Sequence, residues 1–157
     1  MEIKQVKVYE FKELLPEVQE KVLNHLCGLN TEFDWWKFIY EDTEQVGIKI
    51  TAFDLDRGSY CNGDFITSPL DCANLILKNH GETCETFKTV KQYIKALKSK
   101  NEDKQQEAEE DFYKAIMEDY RILLQKEYEY LTSEEATKEI IEANDYRFYE
   151  NGKIFCN

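Results

Sequence analysis

Ile48-Lys49-Ile50-Thr51-Ala52-Phe53-Asp54-Leu55-Asp56-Arg57-Gly58-Ser59-Tyr60-Cys61-Asn62-Gly63-Asp64-Phe65-Ile66 decides the fold class. Ile48, Ile50 and Ala52 recur with the period of two that a half-buried strand needs. Tyr60 and Phe65 mark a second β-rich run, and Asp56-Arg57-Gly58-Ser59 between the two has the composition of a turn. The stretch predicts a β-hairpin set in the middle of a chain whose remaining apolar residues mostly follow a helical period. Upstream, residues 3–11 alternate β-branched and aromatic side chains with Lys and Glu, as an opening strand does. At the other end, Tyr146-Arg147-Phe148-Tyr149 and Lys153-Ile154-Phe155-Cys156 flank Glu150-Asn151-Gly152, and Asn-Gly is a strong hairpin signal.

Helices fill the intervals. Leu15, Val18, Val22, Leu26 and Leu29 share a helical stripe behind Pro16, whose missing N–H costs nothing in a first turn. Thr31 and Asp34 are candidate caps for a helix carrying Phe33, Trp36, Ile39, Tyr40 and Val46, which Gly47 stops. Ser68-Pro69 opens a short helix to about Asn79, and Thr83 caps one bearing Phe87, Val90, Ile94 and Leu97. Residues 102–131 read as one long helix with Ala108, Phe112, Ile116, Tyr120, Leu123 and Leu124 inward. Thr132 and Glu135 have the spacing of a capping box before Ala136, Ile140 and Ile141. The expectation is a single α+β domain over residues 1–157. One small antiparallel sheet takes strands from the N-terminus, the centre and the C-terminal hairpin, and five to six helices surround it.

The chain has 157 residues, enough to bury roughly two-thirds of its unfolded surface. An aromatic fraction of 13% argues for a folded core despite 33% charged residues. The net charge of −12 disfavours direct binding to nucleic acid, because nothing would neutralise the phosphates, and favours a basic partner. No window is apolar enough for a membrane span, and the charged start does not resemble a signal peptide. Five cysteines without paired spacing imply reduced thiols in a cytoplasm.

The runs Tyr9-Glu10-Phe11-Lys12-Glu13-Leu14, Trp35-Trp36 with Glu41-Asp42, and Glu142-Ala143-Asn144-Asp145-Tyr146-Arg147-Phe148-Tyr149-Glu150-Asn151-Gly152 frame nearly the whole chain. In them the sequence resembles a family of small, acidic, phage-encoded proteins described as antitoxins of a toxin-antitoxin stability system. That resemblance implies a phage or prophage setting and a non-enzymatic, partner-binding role. Its relatives carry a Trp/Ser/Gln/Gly-rich segment where this chain has Phe53 to Cys61.

Several constellations bear on chemistry. Thr51-Ala52-Phe53-Asp54-Leu55-Asp56 resembles the first motif of haloacid-dehalogenase-like phosphotransferases, in which two carboxylates one residue apart serve as nucleophile and acid/base around Mg²⁺. That alternative, a metal-dependent phosphohydrolase using Asp54 and Asp56, needs a parallel sheet of alternating strands and helices. The chain after Phe65 instead reads as nearly all helix, and Asp is at home in turns. Asp54, Asp56 and Asp64 lack the Gly and Glu of an EF-hand loop, and Cys72, His80 and Cys84, with Cys61 and His25 in reserve, lack a zinc knuckle, so no metal or cofactor is expected. His25, between Val22 and Leu26, reads as a partly buried imidazole.

Charge offers the stronger pattern. Residues 102–119 hold eight acids against Lys104 and Lys114, leaving −6 in one helix and its approach, whereas residues 88–100 carry five lysines and no acid. Such runs serve as solvated faces or as an antiparallel pair of complementary stripes. In the functional reading, Glu107, Glu110, Asp111, Glu118 and Asp119 imitate phosphates for a host protein with a basic surface, such as a nuclease, defence effector or toxin. Trp35 or Trp36, neighbours about 100° apart on a helix, leaves one aromatic exposed as an anchor, with Arg57 and Tyr60 on the hairpin as further contacts. The sequence thus points to a stoichiometric anti-defence or antitoxin-like inhibitor in the host cytoplasm. A phage regulatory or structural module stays open as the other non-enzymatic class.

Overall fold

The computed structural model describes residues 1–156. Its elements run α1 (Pro16–Leu26), α2 (Lys37–Gln45), β1 (Ile48–Asp54), β2 (Tyr60–Phe65), α3 (Pro69–Asn79), α4 (Glu85–Ala96), α5 (Glu102–Leu131) and α6 (Glu134–Ala143), with 3₁₀ turns at Phe11–Glu13 and Leu29–Thr31. The class is α+β: among the described residues, six helices accompany one two-stranded antiparallel sheet. No helix among them is long and apolar enough to cross a membrane.

Most starts follow the local chemistry. Pro16 and Pro69 occupy first-turn positions, and Ser68 Oγ accepts from the Asp71 N–H at 3.1 Å. Asn101 Oδ1 accepts from Asp103 N–H at 2.9 Å ahead of α5. Three expected caps differ. Ser133, not Thr132, receives the Ala136 N–H at 3.2 Å, because the Thr132 hydroxyl donates back to the Tyr128 carbonyl of the preceding helix. Cys84 rather than Thr83 stands at the start of α4, and α2 begins at Lys37, with Thr31 inside a 3₁₀ turn and Phe33 63% exposed.

The described residues form two compact units. One comprises Met1–Trp35 and the chain from Glu127 onward. Its core is Leu14, Val22, Leu23, Leu26, Ile141 and Phe148, flanked by Tyr9, Phe11 and Tyr146. Here the expected strands are corrected. Residues 1–8 have no regular structure and are exposed; Ile3 is 85% and Val6 54% accessible. Only Tyr9 pairs, exchanging two backbone hydrogen bonds of 2.8 and 2.9 Å with Phe148, which in turn bridges Ile154. The C-terminal run does turn back on itself, Phe155 N–H donating to Arg147 O and Tyr149 N–H to Lys153 O, both at 2.8 Å, but the terminal segments contribute no strand to a common sheet. For residues 3–8 the physical reason is burial: β propensity alone does not hold a strand whose apolar side chains meet no core. Arg147 joins the two ends further, 3.5 Å from Glu10 and 2.8 Å from Asp145.

The other unit, Trp36–Lys126, holds the hairpin and four helices, including most of α5. Ile48 pairs with Phe65, Ile50 with Gly63 and Phe53 with Cys61, with an irregularity between Ile50 and Ala52. The extra residue shifts the alternation by one, so Ala52 is exposed where the simple period of two put it inside, and Phe53 turns inward. Gly63 is required there, since a Cβ would come within 2.5 Å of the Lys49 carbonyl oxygen. Phe65, Phe112 and Tyr93 stack in sequence, with centroids 5.7 and 4.4 Å apart. Cys72, Ile76, Val90, Ile116 and Leu124 are fully buried around them.

Candidate functional site

At about 100° per residue, Glu107, Glu110, Asp111, Lys114 and Glu118 of α5 fall within one stripe about 100° wide, opposite the buried Phe112, Ile116 and Tyr120. All four carboxylates are exposed, and together they cover about 16 Å of helix. A helix buried along one side by large aromatic and aliphatic residues holds such a row in fixed register. Lys114 in the same row lowers its net charge. Glu118 forms a fork with Arg121 at 2.8 and 2.7 Å, and this pairing holds its carboxyl below the usual range. Arg121 Nη1 also reaches 3.5 Å from Ser59 Oγ, which brings the hairpin turn beside the lower end of the stripe.

Asp119 does not join that row. It stands about 100° from Glu118 around the helix, half-buried, and its Oδ2 accepts the Thr89 hydroxyl of α4 at 2.6 Å. Burial pushes its carboxyl up against the opposing effect of that hydrogen bond. Its evident work is to join α4 to α5, next to the Tyr93–Phe112 stack.

The turn itself presents Arg57 and Tyr60, both exposed, with Tyr60 43% accessible. Asp54 Oδ1 accepts the Asp56 backbone N–H at 2.8 Å, an Asx-type turn that explains one aspartate by local geometry. Both aspartates lie at the turn end of an antiparallel hairpin, and the sheet contains no parallel pair.

The expectation of an exposed tryptophan is corrected. Trp35 is 9% accessible and packs against Tyr128 at 5.8 Å between ring centroids; Trp36 is half-buried against Phe53 at 5.7 Å. Both aromatic faces have partners because the chain turns between them, placing each in a different unit. Of the candidate contacts, Tyr60 is the exposed aromatic, and it lies in the same unit as the carboxylate stripe.

One feature beside the stripe escaped the sequence. Gly63, Asp64, Phe65 and Pro69 face Gln106, Glu109, Glu110 and Tyr113 across an open cleft of ≈530 Å³. The Tyr113 hydroxyl closes the outer edge of β2, donating to Gly63 O at 3.0 Å and accepting from Gly63 N–H at 3.4 Å. Asp64, Glu109, Glu110 and Lys114 thereby line one cleft, a grouping that spacing along the chain does not encode.

The remaining reactive groups are dispersed. No group of three His, Cys, Asp or Glu among the described residues could hold a metal ion. Cys61 and Cys72 are buried thiols, which burial pushes up to about 11 and about 12, whereas Cys84 and Cys156 are exposed; all are free. His80 is half-buried with Nδ1 2.6 Å from Thr86 Oγ1, and His25 is exposed, contrary to the expected partly buried ring, because it points off the apolar stripe of α1. Compared with known proteins, the chain matches no protein-family model, no curated protein and no solved structure.

Proposed function

We propose that the protein is a stoichiometric, non-enzymatic inhibitor that binds a host protein through the carboxylate stripe of α5, in the manner of a nucleic-acid mimic. The supporting observation is the row of exposed Glu107, Glu110, Asp111 and Glu118 opposite the buried face of a 30-residue helix. Negative groups held at fixed spacing suit a cationic groove shaped for phosphates, and they steer encounter from a distance. Tyr60 and Arg57 at the neighbouring turn supply an aromatic anchor and a polar rim. The resemblance to acidic phage proteins supports a phage or prophage setting, an antitoxin-like or anti-defence role and the host cytoplasm as its place. Asp119 serves in this reading as a positioning residue that holds α4 and α5 together.

The decisive variant combines Glu110→Lys, Asp111→Lys and Glu118→Lys. A partner recovered from host lysate with the natural protein and identified by mass spectrometry is then measured against both forms at low and high salt. The reading expects the variant to associate at least about tenfold more slowly and to lose most of the salt dependence, with an unchanged circular dichroism spectrum. Association indifferent to salt and to the three reversals overturns the mimicry and leaves Tyr60, Arg57 and the cleft at Asp64 as the interface.

A further inference from the structure

The chain that carries −12 overall also carries a stretch of opposite sign. Between Thr86 and Asn101 there are five lysines and no acid. Lys88, Lys91, Lys95 and Lys98 recur at spacings of three, four and three, so they line one face of α4 and its C-terminal turn over about 15 Å. Antiparallel pairing with the acids of α5 does not neutralise them. The face of α4 that meets α5 is the one bearing Thr89 and Tyr93, and no ion pair among the described residues joins a lysine of α4 to a carboxylate of α5. Lys88 pairs within its own helix with Glu85 at 3.0 Å, and Lys91 Nζ lies 5.5 Å from the Phe87 ring centroid. Lys95 and Lys98 form no ion pair with any described carboxylate.

Three of these lysines, Lys91, Lys95 and Lys98, rim a groove. Leu77 of α3 and Ile94 of α4, both half-buried, form its floor, and Lys91, Gln92, Lys95 and Lys98 its sides, around a volume of ≈520 Å³. A lysine stripe on a plain solvated helix has no such floor.

We infer that the α3–α4 groove is a docking site for an acidic amphipathic helix of a partner protein. Carboxylates at three- and four-residue spacing on that helix match the spacing of Lys91, Lys95 and Lys98, and an aliphatic side chain between them covers Leu77 and Ile94. Charge complementarity selects the acids, and the apolar floor selects the peptide. A nucleic-acid backbone offers phosphates at the rim but no aliphatic group for the floor, and its approach is opposed by the net charge of −12. An anionic bilayer meets the same repulsion, and its acyl chains do not reach two side chains set between lysines. The site uses none of the α5 carboxylates, so it stands or falls separately from the function proposed above.

The test titrates the isotopically labelled full chain with a synthetic helical peptide bearing Glu at three- and four-residue spacing beside Leu. A scrambled peptide of the same composition, an oligothymidylate and vesicles containing phosphatidylglycerol serve as competing probes. Saturable shifts of the Leu77, Ile94 and Lys95 amide resonances are expected with the patterned peptide. Affinity should fall at least about tenfold for the scrambled one. Replacing Lys91, Lys95 and Lys98 by Gln, which keeps helix propensity, should weaken the patterned peptide by about tenfold, whereas the α5 triple reversal should leave its amide shifts at the groove in place. Equal binding of the scrambled peptide, tighter binding of the oligothymidylate or the vesicles, or indifference to the Gln replacements overturns the inference.

Discussion

Tyr120 offers a test in which a deletion should strengthen the protein. The residue is 3% accessible, and its hydroxyl has no hydrogen-bond partner among the described residues. Burial, helped by the Cys72 thiol and the Asp119 carboxylate, pushes its ionisation far up, as expected of a phenol surrounded by apolar groups. A buried donor left unpaired costs about 1–3 kcal/mol of folding free energy. In Tyr120→Phe that cost disappears. The void left by one oxygen, roughly 10 Å³, takes back only about 0.2 kcal/mol. The net expectation is a gain of about 1–2 kcal/mol, read as a higher urea midpoint at unchanged slope and a melting temperature up by about 2–8 °C. Urea titration followed by circular dichroism measures it directly. A loss of 1 kcal/mol or more would refute the reasoning, since it would mean that the hydroxyl is paired in solution, for instance by an internal water, and that the ring belongs to a polar network.

Two further outcomes are expected. Gly152 has φ +87°, and a Cβ there would lie 2.9 Å from Val22 Cγ2 and 3.0 Å from Val18 Cγ1, so Gly152→Ala should cost about 2–4 kcal/mol by urea denaturation; a change within 0.5 kcal/mol would show that the C-terminal turn does not seat on α1. Burial holds the His80 imidazole below its ordinary value, with Asp42 opposing, so the unfolded chain takes the proton first. Stability should therefore be complete above about pH 6.5 and decline as the pH falls from there toward the lowered folded value, and a His80→Asn variant should lose that slope in stability measured across the same window.

Helices were the legible part of this fold, because their signals are local. Pro16, Ser68-Pro69 and Gly47 act within one turn of themselves, and each marks a boundary close to where the element lies. The central hairpin was equally readable in kind, but its inner face was not, since one extra residue near Thr51 moves Phe53 inward and Ala52 outward. Strand character at residues 3–11 and 146–156 misled for the opposite reason. β propensity in those runs is real, yet the C-terminal run closes only on itself around Glu150-Asn151-Gly152, and its one link to the N-terminal run is Tyr9 with Phe148, more than a hundred positions apart. Within the candidate site, the carboxylate stripe follows from helical periodicity alone, whereas the half-burial of Asp119 depends on Thr89 and the loss of an exposed tryptophan depends on Tyr128 and Phe53. Long-range partners such as these leave no mark in a local pattern.

The exposed segment ahead of Tyr9 carries a cost of its own. Ile3, Val6 and Val8 stand open to solvent on a backbone with strand-forming residues and no pairing partner before Tyr9, which is the composition of a sticky edge. Lys4 and Lys7 interrupt it at close intervals. Their charges make self-association of two such segments place like charges side by side, so they act as gatekeepers of colloidal stability. Charge neutralisation of Lys4 and Lys7 should therefore cost dispersion more than folding stability, and the same exposed lysines offer a trypsin-like protease cleavage sites in a segment without regular structure.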